Sequence, residues 1–197
     1  MHRIFISLIT FSLWTAAANA ASFWNEAVSG DLSGNHNAPT SVTFSSGTNT
    51  IMGTMGGDPG DGIPLDRDIF TFTIDPGFQL TAIDVVTFTP LGQSFYAIAP
   101  GTSISITDPS GHLANTLVTG LYDILAPMAA GSYSGATGIT NPLGPGTYTA
   151  WFQEVASVVT YRMDYQIAAV PEPSHGLLLL VGAGGLICRR SRRWCQA

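Results

Sequence analysis

The chain has 197 residues, 45% of them apolar, so it is long enough to bury the core of one ordinary domain. It contains no lysine, and the segment 21–169 carries twelve carboxylates against two arginines, a net charge of −10 with histidine neutral. Such an acidic body repels nucleic acid and anionic lipid, which argues against nucleic acid as a partner. Both cysteines, Cys188 and Cys195, lie near the end, so the body needs neither a disulfide nor a thiolate-bound metal.

The first 20 residues are typical of a cleaved signal peptide. A basic start precedes an apolar run at 4–14, and Ala18 and Ala20 provide the small-x-small pattern that signal peptidase requires. Cleavage after Ala20 would make Ala21 the first mature residue. The alternatives are a first core helix or a membrane anchor, but the run is too short to span a bilayer and polar sequence follows it.

An acidic loop at 56–68 is the best local candidate for a binding site. It is rich in glycine and proline, and its carboxylates could converge on a hard cation such as Ca²⁺, which takes six to eight oxygen ligands. The spacing does not match an EF-hand, because no bidentate glutamate follows. The alternative is a solvated acidic turn that Arg67 partly neutralises. The four candidate calcium ligands are Asp58, Asp61, Asp66 and Asp68.

The body from 21 to 169 is predicted to be built from β-strands. It is rich in Gly, Thr, Ser and aromatic residues, which disfavours helices. Strict alternation at 68–74 and 158–167 predicts half-buried strands, and an Asp-Pro-Gly turn ends the first of them. In the strand at 80–89, adjacent Val85 and Val86 break the alternation and indicate a bulge. Shorter candidate strands lie at 41–45, 49–52, 94–99, 103–107 and 121–125.

A further strand at 146–155 is predicted to form a hairpin with 158–167, because only Ala156 and Ser157 separate them. Short strands without a convincing helix predict an all-β fold, an antiparallel β-sandwich or jelly-roll. An N-terminal signal helix and a C-terminal hydrophobic helix would flank it. The predicted organisation is a signal peptide at 1–20, the body at 21–169 and a separate tail at 170–197.

The tail joins a Pro-Glu-Pro motif to an apolar run and four arginines. As a helix, the 13 residues 176–188 would extend only about 20 Å, against about 30 Å of hydrocarbon. The arginines would keep the chain end in the cytoplasm while the acidic body is exported. The two prolines keep the motif extended, a form that a protease can bind, although it could also be a helix-breaking linker before an anchor.

This tail resembles the PEP-CTERM sorting signal of Gram-negative bacteria in all three parts, in order and spacing. The resemblance implies transient insertion in the inner membrane, recognition and removal of the tail by an exosortase, and delivery to the cell surface or extracellular matrix. It also implies an association with exopolysaccharide and biofilm. The matching residues are Pro171, Glu172, Pro173, Arg189, Arg190, Arg192 and Arg193.

The body is similar, over roughly 49–168, to the bacterial pre-peptidase C-terminal type of jelly-roll. The resemblance lies in the acidic-aromatic strand at 68–74, the Asp-Pro-Ser-Gly turn at 108–111, the Gly-Thr-Tyr strand at 146–155 and the segment Tyr-Arg-Met-Asp-Tyr-Gln-Ile at 161–167. It implies a non-catalytic module that accompanies exported proteins.

The body lacks the common catalytic motifs, and its histidines, His36 and His112, belong to no nucleophile motif. Acid pairs such as Asp66 and Asp68 could in principle serve a glycosidase. The sequence therefore predicts a non-enzymatic structural or adhesive protein. A Ca²⁺-dependent glycan-binding module is the second interpretation, and a hydrolase is the third. A set of aromatic residues could form a sugar-stacking platform or lie in the core: Trp24, Tyr148, Trp151, Tyr161 and Tyr165.

Overall fold

The computed structural model describes residues 22–57, 60, 62, 64–131 and 135–171. Within these ranges the chain is mostly β-strand, with two short α-helices and one turn of 3-10 helix, which confirms the prediction of an all-β fold. The elements are β1 Phe23–Asn25, α1 Glu26–Ser29, β2 Thr40–Ser41, β3 Gly47–Gly56, β4 Arg67–Ile74, β5 Phe78–Thr89, β6 Ser94–Pro100, the 3-10 helix Pro109–Gly111, β7 Ala114–Val118, α2 Leu125–Ala130, β8 Gly146–Gln153 and β9 Val158–Ala169.

The strands form a four-stranded sheet with the order β1-β3-β9-β5 and a five-stranded sheet with the order β2-β4-β8-β6-β7. The long strands pair antiparallel, as expected. The expectation fails at two edges, where β1 lies parallel to β3 and β2 lies parallel to β4. These edge strands have only three and two residues, and neither is joined to its partner by a hairpin.

The hydrophobic core lies between the two sheets. In β4, Phe70, Phe72 and Ile74 are buried and alternate with more exposed threonines, as the period-two pattern predicts. Tyr165 of β9 meets this row from the opposite sheet, with its ring centroid 5.8 Å from that of Phe72. The two sheets therefore share one core, as in a β-sandwich.

The predicted β8–β9 hairpin is wrong. β8 pairs with β4 and β6 in the five-stranded sheet, whereas β9 pairs with β3 and β5 in the four-stranded sheet. The connection at 154–157 crosses from one sheet to the other. Alternation indicates which face of a strand is buried, but it does not indicate the sheet to which the strand belongs.

Two other predicted strands, at 103–107 and 121–125, are also wrong. Ile104 is buried in a loop that covers the outer face of the five-stranded sheet, and Leu125 is buried at the start of α2. Apolar side chains in these two segments are therefore buried although the segments form no β-strand.

The bulge predicted at Val85 and Val86 is confirmed, because the register between β5 and β9 shifts between Val85 and Thr87.

The predicted signal peptide at 1–20 and the predicted tail beyond residue 171 lie outside the described residues. So do the signal-peptide residues Ala18, Ala20 and Ala21 and every sorting-motif residue except Pro171. The predicted helices at 1–20 and in the tail lie there too. Among the described residues, none of the helices has the length and apolar character needed to cross a bilayer.

Candidate functional site

Two of the four predicted calcium ligands, Asp66 and Asp68, lie in the described part of the chain, and Asp58 and Asp61 lie outside it. The backbone of Asp66 forms a bridge with Gly56 at the end of β3. Asp68 lies in β4, and the alternation that buries Phe70 and Phe72 buries its side chain completely. A carboxylate thus occupies an inward position at the end of the core.

Asp68 lies close to two acidic residues that are far away in sequence. Glu26 of α1, Asp31 after that helix and Asp68 each contribute one carboxylate oxygen to a group whose members lie within 4.8 Å of one another. Glu26 is half-buried and Asp31 is exposed. These three residues, called the carboxylate cluster below, are the densest group of possible metal ligands among the described residues.

Glu26 is held in place by local structure. Asn25 caps α1 by accepting a hydrogen bond from the Ala27 amide at 3.1 Å. The Glu26 carboxylate accepts hydrogen bonds from the Leu32 amide at 3.1 Å and from the Thr54 amide of β3 at 2.8 Å. A Cβ at Gly53 would overlap this carboxylate, so the glycine provides the space in which Glu26 crosses β3.

The electrostatics of the cluster favour a bound positive species. The pKa of Asp68 is raised to about 9, chiefly by burial and also by the nearby charges of Glu26, Asp66 and Asp31, while the Tyr161 hydroxyl opposes the shift. Burial also raises the pKa of Glu26 and that of Asp66. These carboxyl groups repel one another, and each proton or cation that enters relieves that repulsion.

Arginine does not provide the compensating charge within the described residues. Arg162 forms an ion pair with Asp164 at 2.8 Å, and Arg67 donates from Nε to the Gln153 amide oxygen at 2.5 Å. The Tyr161 hydroxyl lies beside Asp68 and interacts with its carboxyl group, but neither residue forms a hydrogen bond of regular geometry there with a described residue. A buried carboxylate without partners costs several kcal/mol unless it is neutralised or bound, on the order of 2–7 for a polar group.

The cluster borders a cavity of about 400 Å³ that is open on one side. Glu26 and Asp31 line it together with Gly53, Thr54 and Tyr161. The cavity gives the cluster a path to solvent and room for water. The arrangement can therefore bind and release a small cation.

A second cavity, of about 250 Å³, lies against the outer face of the five-stranded sheet. Trp151 and Phe95 line it with their ring centroids 4.7 Å apart, and the His112 ring lies 6.2 Å from Trp151. His112 is buried and donates from Nε2 to the Ser105 carbonyl at 2.7 Å, which fixes its ring. Asp108 at the rim is the one acidic residue in its lining.

The proposed sugar-stacking platform of Trp24, Tyr148, Trp151, Tyr161 and Tyr165 does not assemble. Tyr148, Tyr161 and Tyr165 are buried in the core between the sheets, and Trp24 packs against that core. Trp151 belongs to a separate apolar cluster on the other face of β8. The three tyrosines and Trp24 therefore stabilise the core, as the alternative interpretation predicted, whereas Trp151 lines the second cavity.

Of the carboxylate cluster, sequence reasoning named Asp68 as a candidate metal ligand but missed Glu26 and Asp31. The acidic loop drew attention through its local density of carboxylates, whereas Glu26 and Asp31 lie in an ordinary polar stretch. The position of Asp68 in an alternating strand is a signal that could have indicated a binding site, because an aspartate on the apolar face of a strand requires a partner.

Comparison with known proteins yields no relative: no family model, curated protein or solved structure matches this chain.

Proposed function

We propose that this protein is an exported, non-enzymatic component of the cell surface or extracellular matrix, structural or adhesive in the envelope or in exopolysaccharide. Signal peptidase would remove its first 20 residues, and an exosortase would process its tail at the inner membrane. The observation that carries the proposal is the tail itself, with Pro171-Glu172-Pro173, the apolar run at 176–188 and the arginine cluster in that order.

The described body is compatible with this route. Its last strand ends at Ala169, and the Val170 amide donates to the Gly77 carbonyl at 2.8 Å, so the core ends immediately before Pro171. Removal of the tail would leave all nine strands in place. We also propose that the sandwich is a jelly-roll flanked in the precursor by two terminal helices, since successive strands β3, β4, β5 and β6 alternate between the sheets.

Intact-mass measurement of the protein isolated from its native host tests the sorting proposal. We expect a mature species that lacks both the first 20 residues and the arginine cluster. Replacing Pro171 and Pro173 together by alanine should leave the tail uncut, whereas the matched pair Pro76→Ala and Pro109→Ala should be processed normally. A wild-type protein with an intact C-terminus would show that the tail is a plain anchor.

Ca²⁺-dependent glycan binding is the second candidate function, and the aromatic cavity beside Trp151 and Phe95 favours it. Aromatic side chains at a cavity can contact the apolar face of a sugar, and polar groups such as Asp108 can bind its hydroxyls. A glycan array probed in calcium and again in chelator is the direct test. We expect binding to polysaccharide fragments that weakens in Phe95→Ala; a blank array would remove this candidate.

A further inference from the structure

We propose that Glu26, Asp31 and Asp68 together bind one calcium ion, which joins the N-terminal segment 26–31 to the β-sandwich. This site differs from the one that the acidic loop suggested, because Asp68 alone is common to both. It is also independent of how the tail is sorted. The geometry, the unpartnered buried carboxylate and the local charge each support it.

The distances suit one coordination shell. Calcium binds oxygen at about 2.3–2.6 Å, so two ligands on opposite sides of the ion lie about 5 Å apart. The three carboxylate oxygens of the cluster lie within 4.8 Å of one another, inside that limit. One ion placed between them can therefore lie at or close to the calcium–oxygen distance from all three residues.

Asp68 supplies an independent indication of a ligand. Its side chain is completely buried, and neither carboxylate oxygen accepts a hydrogen bond from a described residue. One of its oxygens nevertheless lies within 4.8 Å of a carboxylate oxygen of Glu26 and of Asp31, the two cluster residues that line the cavity. A cation at this point would give the Asp68 carboxylate the partner that the described residues do not provide.

The donor set favours calcium over other common divalent ions. All three ligands are carboxylates, and the two described histidines donate to or face backbone carbonyls elsewhere, at Ile104 and Ser105. Zinc prefers nitrogen and sulfur ligands, and magnesium demands a stricter octahedron at shorter distances. Calcium accepts an irregular shell, and water in the adjoining cavity can complete it.

The bound ion would connect three parts of the fold. Asp68 belongs to β4 of the five-stranded sheet, Glu26 is hydrogen-bonded to β3 of the four-stranded sheet, and Asp31 lies in the loop after α1. An ion that binds the folded state alone stabilises it in proportion to ligand concentration. Calcium should therefore raise the melting temperature and protect the segment 26–31 from proteolysis.

The test is a calcium titration of the purified exported protein after treatment with chelator, followed by calorimetry and thermal melting. We expect one ion per chain and a melting temperature raised by roughly 5–10 °C at one hundred times the Kd. Asp68→Asn should abolish both effects with little change in the size of the side chain. Asp75→Asn removes an exposed carboxylate from the β4–β5 turn and should leave both unchanged.

Asp31→Asn is a second test of the site, which remains informative if the buried substitution Asp68→Asn prevents folding. Asp31 is exposed, so its replacement should leave the fold intact while weakening calcium binding at least tenfold. Absence of binding heat and of a melting shift up to about 5 mM calcium, beyond the weak extracellular range, would overturn the proposal. An equal shift with magnesium, or an unchanged response in both Asp31→Asn and Asp68→Asn, would overturn it as well.

Discussion

Tyr96 and Tyr165 meet inside the core, with their hydroxyl oxygens 2.9 Å apart. They belong to opposite sheets, and both side chains are completely buried, which raises the pKa of each. Tyr165 also directs its hydroxyl toward the Met163 sulfur at 3.9 Å, a weak second acceptor. The pair satisfies two polar groups that water cannot reach and fixes the relative position of the sheets.

Tyr165→Phe should destabilise the protein by about 1–3 kcal/mol, because it leaves the Tyr96 hydroxyl buried without a partner. Tyr96→Phe should cost less, since Tyr165 retains the Met163 sulfur. Urea unfolding of both variants measures the difference. Tyr122→Phe, at an exposed hydroxyl, is the control and should change the free energy of unfolding by less than about 0.5 kcal/mol.

Gly53→Ala should destabilise the protein by about 1–3 kcal/mol, because the new Cβ displaces the Glu26 carboxylate from its hydrogen bonds to the Leu32 and Thr54 amides. Combining it with Glu26→Ala should remove most of this cost, since the overlapping atoms are then absent. A double-mutant cycle by urea unfolding gives the coupling energy. Gly144→Ala, where a Cβ meets open space, is the control; equal costs at both glycines would contradict the explanation.

At the scale of elements, the connection between β8 and β9 decides the topology. The Glu154 side chain is 4% exposed and accepts hydrogen bonds from the Ser94 hydroxyl at 2.9 Å, the Val155 amide at 2.8 Å and the Ala156 amide at 3.0 Å. These bonds hold the chain where it leaves the five-stranded sheet. The buried carboxylate thus satisfies the donors of the segment that crosses between the sheets.

Glu154→Ala should lower the free energy of unfolding by about 2–3 kcal/mol, since the buried Ser94 hydroxyl and two backbone amides lose their acceptor. Glu154→Gln keeps an acceptor oxygen and should cost clearly less. Chemical denaturation monitored by near-ultraviolet circular dichroism measures both. If Glu154→Ala and Glu154→Gln are equally destabilised, the hydrogen bonds accepted by Glu154 do not explain its contribution to stability.

At the scale of the whole molecule, the excess of negative charge makes stability depend on pH. In metal-free protein the pKa of Asp68 is about 9 when folded and near 3.8 when unfolded, so the folded state holds the extra proton between these values. Glu26 and Asp66 shift in the same direction, also through burial. The stabilisation is present at low pH and is lost as pH rises toward 9.

We therefore expect the free energy of unfolding in chelator to fall between pH 5 and pH 8, by at most about 1.4 kcal/mol per pH unit for each proton. Urea midpoints measured across this range test the sign. Asp68→Asn cannot lose a proton and should flatten the dependence, while Asp75→Asn should retain it. Stability that rises with pH in the metal-free protein would contradict the assignment to Asp68.

Much of the strand content follows from local sequence. Alternation located β4 and β9, and the paired valines at 85 and 86 located the bulge in β5. The same reasoning failed at 103–107 and 121–125, whose apolar residues are buried by a loop and by α2. Local patterns report that a side chain is buried, and they do not report which element buries it.

The sequence by itself determined that this chain forms a strand-rich body and that Asp68 stands at the start of one of its strands. Its terminal motifs predict export and sorting, and those remain predictions. Only the tertiary structure decided that β8 and β9 belong to different sheets and that Glu26 and Asp31 meet Asp68. The physical reason is that alternation depends on neighbouring residues, whereas strand partners and the carboxylate cluster depend on packing between segments some 40 residues apart or more.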